Sequence, residues 1–292
     1  MTLPCQQTIA QPVEVEGIGF FTGQDVSVRF RPASPNTGIQ FLRVDHSGAT
    51  PIPAHISQLQ SAFRRTQLGQ SPAEVQLVEH VLAALAGLEI DNCLVELSGP
   101  ELPGLDGSAK AFTEVLNSAG HVVQSEPARI LSINQVIEQK FDDGLSLLAE
   151  PAIDFRIRYE LDYGKESVIE SQVAEWAITP QTFSQQIASA RTFVTHSEVE
   201  MLKKAGIGTR NTAEDLLVFG KDGKPIDNQL RMPNECACHK LLDCIGDFAL
   251  AGMRIRGHIT ARKTGHRHNH AFVQTLLKQH SLNETSTLRR IA

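Results

Sequence analysis

The stretch from Asn234 to Gly252, NECACHKLLDCIGDFALAG, limits the folds open to this chain more than any other. Leu241, Leu242, Ile245, Phe248 and Ala249 recur at helical spacing, so one face of a helix must dock on a core. Asn234 can cap the start through its side-chain oxygen, and Gly252 can close the end in the left-handed conformation. A second stripe is polar, because His239, Asp243 and Asp247 stand one turn apart and stack on one face. Two acids at that spacing repel each other by about 0.2–0.5 kcal/mol. An acid stripe that faces an interior needs a cation or strong donors. A His and an Asp one turn apart form half of a metal site.

The 292 residues suggest two domains, and the polar stretch Gly120–Ala128, without strong periodicity, marks a boundary between 1–124 and 125–292. A net charge of −6 argues against broad nucleic-acid binding and leaves room for a local basic pocket. MTLPCQQTIA lacks a basic region followed by an apolar run, so no secretory signal is expected. Val81–Leu88 is the most apolar run and is too short for a transmembrane segment. Five cysteines without framework spacing fit a reducing cytoplasm, and a monomer is expected.

The first seventy residues read as strands, with alternation over Thr8–Glu16 and Asp25–Arg31 and a return at GIQFLRVD. Gly17, Gly19 and Gly23 match neither the dinucleotide nor the P-loop spacing and mark a hairpin turn. A helix is expected over Gln76–Ala86, with Val78, Val81, Leu82 and Leu85 inward. Glu79 and His80 sit near its first turn and point about 100° apart, so one can ligate a metal while the other reaches a water beside it. Ser108 is a candidate cap for a helix to about Ser118. Strands resume at ILSINQVIEQ, LSLLAE and DFRIRYELDY, and a helix is expected to begin near Thr179 and to precede ASARTF, Ala188–Phe193. Ser197 and Glu200 have capping-box spacing, Leu216–Phe219 reads as a strand and Asp222-Gly223 as a hairpin turn. A strand over Ile255–Arg262 ends at Gly265, placing His266 at a strand end. The last helix is expected to run to about Gln279, with the final dozen residues loosely held.

Two metal sites compete. Cys236, Cys238 and His239 spell a Cys-x-Cys-His knuckle, but residues 236 and 238 lie about 200° apart on a helix. Cys5 and Cys93 are isolated and complete no thiolate set, so the plain reading of these thiols is packing. The alternative joins His239 and Asp243 to His80, giving two histidines, one aspartate and an open position, the form of a catalytic zinc site. Glu79, beside His80, is then the base, His266 the proton donor, and Asp247 the carboxylate that keeps the imidazole charged. His268 and His270 read as solvent-facing, with a second metal site as the alternative.

VEHVLAALAGLEIDN, PGLDGSA, ARTF, HKLLDCIGD and ARKTGH, in this order, together with RPASPNTGIQFLR, resemble the UDP-3-O-acyl-N-acetylglucosamine deacetylases of lipid A synthesis. The likeness runs from about Gln7 to Leu277. It implies an α+β fold of two domains, each a sheet layered with helices, the helices packed between the sheets. It implies Zn2+ on His80, His239 and Asp243, Glu79 as general base, and His266 held by Asp247 as the group facing the amine. Thr192 would donate to the oxyanion, Lys240 would contact the substrate head, Phe193 would line the pocket and Lys263 would help bind the diphosphate. The implied substrate is a UDP-linked acylated amino sugar, and residues 194–218 would form its acyl passage. The chain departs from the family at Phe20-Phe21, at Gln76-Leu77, at Thr195 and at Arg210-Asn211-Thr212. These departures make the same chemistry on another N-acetyl sugar, or a non-catalytic zinc-binding relative, the rival readings.

Overall fold

A computed structural model describes residues 3–291, and the side chains of 3–283. Nine strands come first: β1 (Cys5–Ile9), β2 (Val13–Ile18), β3 (Asp25–Pro32), β4 (Ile39–Arg43), β5 (Ile52–Pro53), β6 (Leu59–Gln60), β7 (Gln67–Leu68), β8 (Val75–Gln76) and β9 (Cys93–Leu97). Helix α1 (Glu79–Gly87) precedes β9, and α2 (Lys110–Ser118) follows it. Then come β10 (His121–Pro127), β11 (Ile130–Ser132), β12 (Ile137–Lys140), β13 (Ser146–Glu150), β14 (Phe155–Leu161) and β15 (Gln172–Ala177). Helix α3 (Pro180–Thr182) continues as a π-turn over Phe183–Ile187, followed by β16 (Phe193–Thr195), α4 (His196–Lys204) and β17 (Leu217–Phe219). The long helix α5 (Glu235–Ala249), β18 (Arg254–Arg262) and α6 (His266–Ile291) complete the chain.

The two largest sheets have the orders β2-β3-β9-β4-β5 and β12-β13-β18-β14-β15, with β11 also on β18. Alternation sets the inner faces: Val26, Val28 and Phe30 of β3 are buried, as are Ile255, Ile259 and Ala261 of β18. Helix α2 packs on β2 and α1, α5 packs on β14 and β15, and α1 packs on α5. The helices therefore fill the space between the sheets, as the α+β expectation has it. α1 is apolar on almost every side, which suits a central helix. A Cβ on Gly246 of α5 would lie 2.1 Å from the Glu79 carbonyl oxygen, so α1 and α5 meet backbone against backbone.

Several local expectations change. α1 starts at Glu79, because Gln76 belongs to β8 and Leu77, at φ 60°, turns the chain in the left-handed region. No side chain caps α1, in keeping with the departure at Gln76-Leu77. The Asn234 side chain does not cap α5; it donates to Val173 O at 2.8 Å. Gly252 does take a left-handed φ of 65° after that helix. The box that opens α4 is Thr195 with Glu198, not Ser197 with Glu200. Gly120–Ala128 contains β10, which pairs antiparallel with β1; its mostly exposed residues leave no periodicity to read. The last helix passes Gln279 and runs through the expected loose segment to Ile291.

Candidate metal centre and active site

The contact through Gly246 carries the second residue of α1, His80, to one turn of α5, His239 and Asp243. One ligand atom from each lies within 4.8 Å of the others, and all three residues are buried. Asp243 Oδ1 is 3.7 Å from His80 Nε2 and 3.5 Å from His239 Nε2. The imidazoles meet edge to face, with centroids 5.2 Å apart. His239 Nδ1 donates to Ala190 O at 3.1 Å, which leaves the Nε2 lone pair free for a cation. Burial pushes the His239 imidazole down to about 4 against the pull of Asp243, so it stays neutral. Burial works to raise the Asp243 carboxyl, but the attraction of Lys240 outweighs it and holds it well below the usual range. Lys240 Nζ donates to Asp243 Oδ2 at 2.6 Å. Two imidazoles and one ionised carboxylate, converging without a fourth protein ligand among the described residues, match the three-ligand pattern of a catalytic zinc site. No other such group occurs among the described residues, so the alternative of a second metal at His268 and His270 is not met.

Beside this group stand the two acid–base candidates. Glu79 opens α1, is buried, and accepts from Thr66 N–H on Oε2 at 3.1 Å. Burial raises its carboxyl from the ordinary carboxylate value, which strengthens it as a proton acceptor. Glu79 Oε1 is 3.8 Å from His266 Nε2. His266 is the first residue of α6 rather than a strand end. A cation at a helix N-terminus is disfavoured by about 0.3–1 kcal/mol. Asp247 reverses this, with Oδ2 at 2.9 Å and Oδ1 at 3.1 Å from His266 Nδ1. Burial pulls the imidazole down, but the attraction of Asp247 prevails and raises it to about 9.

Asp247 is 0% exposed and collects further donors. Asn269 Nδ2 reaches it at 2.8 Å, His270 Nε2 at 3.0 Å and Thr66 Oγ1 at 3.0 Å. His270 is therefore buried, contrary to the solvent-facing expectation. Its spacing of four from His266 puts both on one face of α6, a signal present in the sequence. Thr66 and Asn269 carried no such signal. The His268 ring packs edge to face on Phe141 with centroids 4.7 Å apart.

The ARTF motif supplies both structure and chemistry. Thr192 Oγ1 donates to Gly107 O at 3.0 Å and lies 3.2 Å from His239 Nε2. The Phe193 ring lies edge-on to His239 at 6.1 Å, with Phe219 and Tyr163 on its other sides. Lys263 pairs with Asp162 at 2.7 Å. The sequence reading gave no role to Arg191. Its guanidinium is buried and meets Glu235, at the start of α5, at 2.8 and 3.1 Å, and also bonds Asn228 and Gln229 O. Arg191 thereby fixes Thr192 and Phe193 to the helix that carries His239. Arg191→Met is expected to lower unfolding free energy by about 3–5 kcal/mol in urea titration, because it strands the buried Glu235 carboxylate. A midpoint within error of wild type would refute that role.

The cysteine reading is settled by burial. Cys236 and Cys238 are fully enclosed, and desolvation pushes each thiol up to about 12, far from the thiolate a metal needs. Two of the family departures touch. Arg210 donates to Gly23 O at 2.8 Å and pairs with Asp25 at 3.1 Å, while Asn211 reaches Phe20 O at 3.5 Å. Phe20 is buried and Phe21 lies beneath the Arg65 guanidinium at 4.1 Å. The positive φ values of this segment fall on Gly206 and Gly208, not on Arg210 or Asn211.

The family model described as UDP-3-O-acyl N-acetylglycosamine deacetylase matches residues 6–278. A UDP-3-O-acyl-N-acetylglucosamine deacetylase of Myxococcus xanthus is 36% identical over 285 residues, 98% of this chain and 90% of its own length. Proteins of the same name from Geobacter and Nostoc are each 35% identical, covering 94% and 93% of this chain and 89% and 98% of their own lengths. With a matching three-ligand group, a buried carboxylate beside it and a family match over nearly its whole length, the chain belongs to the UDP-3-O-acyl N-acetylglycosamine deacetylase family.

Proposed function

We propose that the chain hydrolyses the N-acetyl group of a UDP-3-O-acyl-N-acetylglucosamine, releasing acetate, with Zn2+ held by His80, His239 and Asp243. The observation that carries this reading is the placing of a buried carboxylate, Glu79, and a charged imidazole, His266, 3.8 Å apart beside that group. Zinc bound there supplies a Lewis acid and lowers the pKa of a water at the open position. Glu79 takes the proton of the attacking water on Oε1, since Oε2 is occupied by Thr66 N–H. His266 gives the Nε2 proton to the departing nitrogen, and Asp247 holds the ring by Nδ1 so that Nε2 faces the site. Thr192 turns its hydroxyl from Gly107 O to the substrate oxygen as charge develops there.

Lys240 faces the sugar head, Phe193 walls the pocket beside His239, and Lys263 exchanges Asp162 for the diphosphate. Residues 194–218 form the acyl passage. The two sheets, drawn from residues before and after about 124, support domains of 1–124 and 125–292. Among the described residues no helix is long and apolar enough to cross a membrane. A cytoplasmic location and a monomeric state are part of the proposed reading. The test is acetate release from UDP-sugars with different 3-O-acyl chains. Turnover of at least one, abolished by a chelator and restored by zinc, is expected. A zinc-loaded protein that turns over none of them would exclude this substrate class and favour another N-acetyl sugar or a non-catalytic role.

A further inference from the structure

Thr66 sits in the loop before β7, is 1% exposed, and sends both of its donors out of that loop. Its N–H goes to Glu79 Oε2 at 3.1 Å. Its hydroxyl goes to Asp247 Oδ1 at 3.0 Å. An ionised carboxylate only accepts, so the single hydroxyl proton is committed to Asp247. His270 Nε2 lies 3.2 Å from the same hydroxyl oxygen and 3.0 Å from Asp247 Oδ1. His270 must then carry its proton on Nε2 and share it between the two oxygens. One buried threonine thus grips the base by the oxygen that carries no proton traffic, and grips the carboxylate that orients the acid. The two contacts belong to one residue, so moving either end moves the other.

We propose that Thr66 is a positioning residue that sets the separation of Glu79 from His266, through its N–H to the base and its O–H to Asp247. The proposal rests on the roles of Glu79 and His266 given above and adds to them a residue to which the family resemblance gave no role. The N–H and hydroxyl of Thr66 bond to Glu79, Asp247 and His270 and to none of His80, His239 and Asp243, and the residue is buried. Its loss acts on the chemical step and not on substrate capture. With the hydroxyl gone, Asp247 Oδ1 keeps His270 but loses the tie to the base side, and His266 drifts from its line to the leaving nitrogen.

Thr66→Val keeps the N–H and the β-branched shape and replaces the hydroxyl with a methyl group that cannot hydrogen-bond. Its kcat is expected to fall on the order of tenfold or more, as small displacements of catalytic groups do, with KM and zinc content unchanged. Thr66→Ser, which restores the hydroxyl, is expected to recover most of kcat. In an Asp247→Ala background Thr66→Val should add little, since the partner of its hydroxyl is already missing. Thr66→Ala gives the same readings if the valine protein does not fold. Wild-type kcat in the hydroxyl-less variants, or a loss that adds in full to that of Asp247→Ala, would overturn the proposal. If Glu79→Ala itself turns over normally, the assignment of the base fails and the tie with it. If Glu79→Ala loses turnover and Thr66→Val does not, the tie alone fails.

Discussion

Glu79→Gln is expected to release acetate on the order of 10²–10⁴ times more slowly than the wild type while binding the same amount of zinc. The substitution is close to isosteric at the first residue of α1, and an amide oxygen can still accept from Thr66 N–H at the Oε2 position. The amide then turns its NH2 toward His266, where the wild type presents a carboxylate oxygen at 3.8 Å. The group that would accept the water proton is gone, and the attraction between Glu79 and His266 is lost with it. Zinc binding should persist because the proposed ligand atoms belong to His80, His239 and Asp243, which the substitution leaves in place. Steady-state acetate release with metal analysis of the same preparation tests this. A Glu79→Gln protein that works at the wild-type rate would remove Glu79 from the mechanism.

The second large effect lies in the helix contact. Gly246→Ala is expected to destabilise the fold by about 1–3 kcal/mol and to cut turnover on the order of 100-fold. Helix propensity alone argues the other way, since Ala is better than Gly by about 0.8–1.0 kcal/mol in a helix interior. The clash decides the sign. The new methyl would stand 2.1 Å from Glu79 O and 2.8 Å from Glu79 C, both backbone atoms that no rotamer change can move aside. Helices α1 and α5 must separate to admit it. His80 lies on one and His239 and Asp243 on the other, so the metal group opens as the helices part. Urea unfolding, zinc affinity and acetate release on one preparation test this together. Wild-type values for all three would show that the two backbones yield without cost.

Much of the site was legible because its chemistry is local. His239, Asp243 and Asp247 lie on one helix, where the residue spacing converts directly into a shared face. Glu79 and His80 are neighbours, and their divergence by about 100° separates base from ligand without reference to the rest of the fold. Gly246 could have been suspected, since a lone glycine inside a helical pattern usually has a packing reason. Capping was less legible. Thr195 with Glu198 and Ser197 with Glu200 satisfy the same rule, and the sequence does not choose between them. The parallel pairing of β16 with β17 holds Thr195 extended at φ −85° and ψ 156°, the conformation a cap needs, and so selects the first.

The two helices with the candidate site residues, the apolar face of each and the residue types that can hold a metal are all written in the local pattern of residues. These follow from chain-local periodicity and need no knowledge of what packs where. The contact of α1 with α5 at Gly246, which brings His80 to His239 and Asp243, comes instead from the packing of segments far apart in the chain. That packing also decides that Arg191 braces Glu235, that His270 is buried, and that Thr66 spans the base and the acid's carboxylate. Each of these is a contact between segments far apart in the chain. The side chain's identity permits such a contact, but the partner is chosen by how sheets and helices stack.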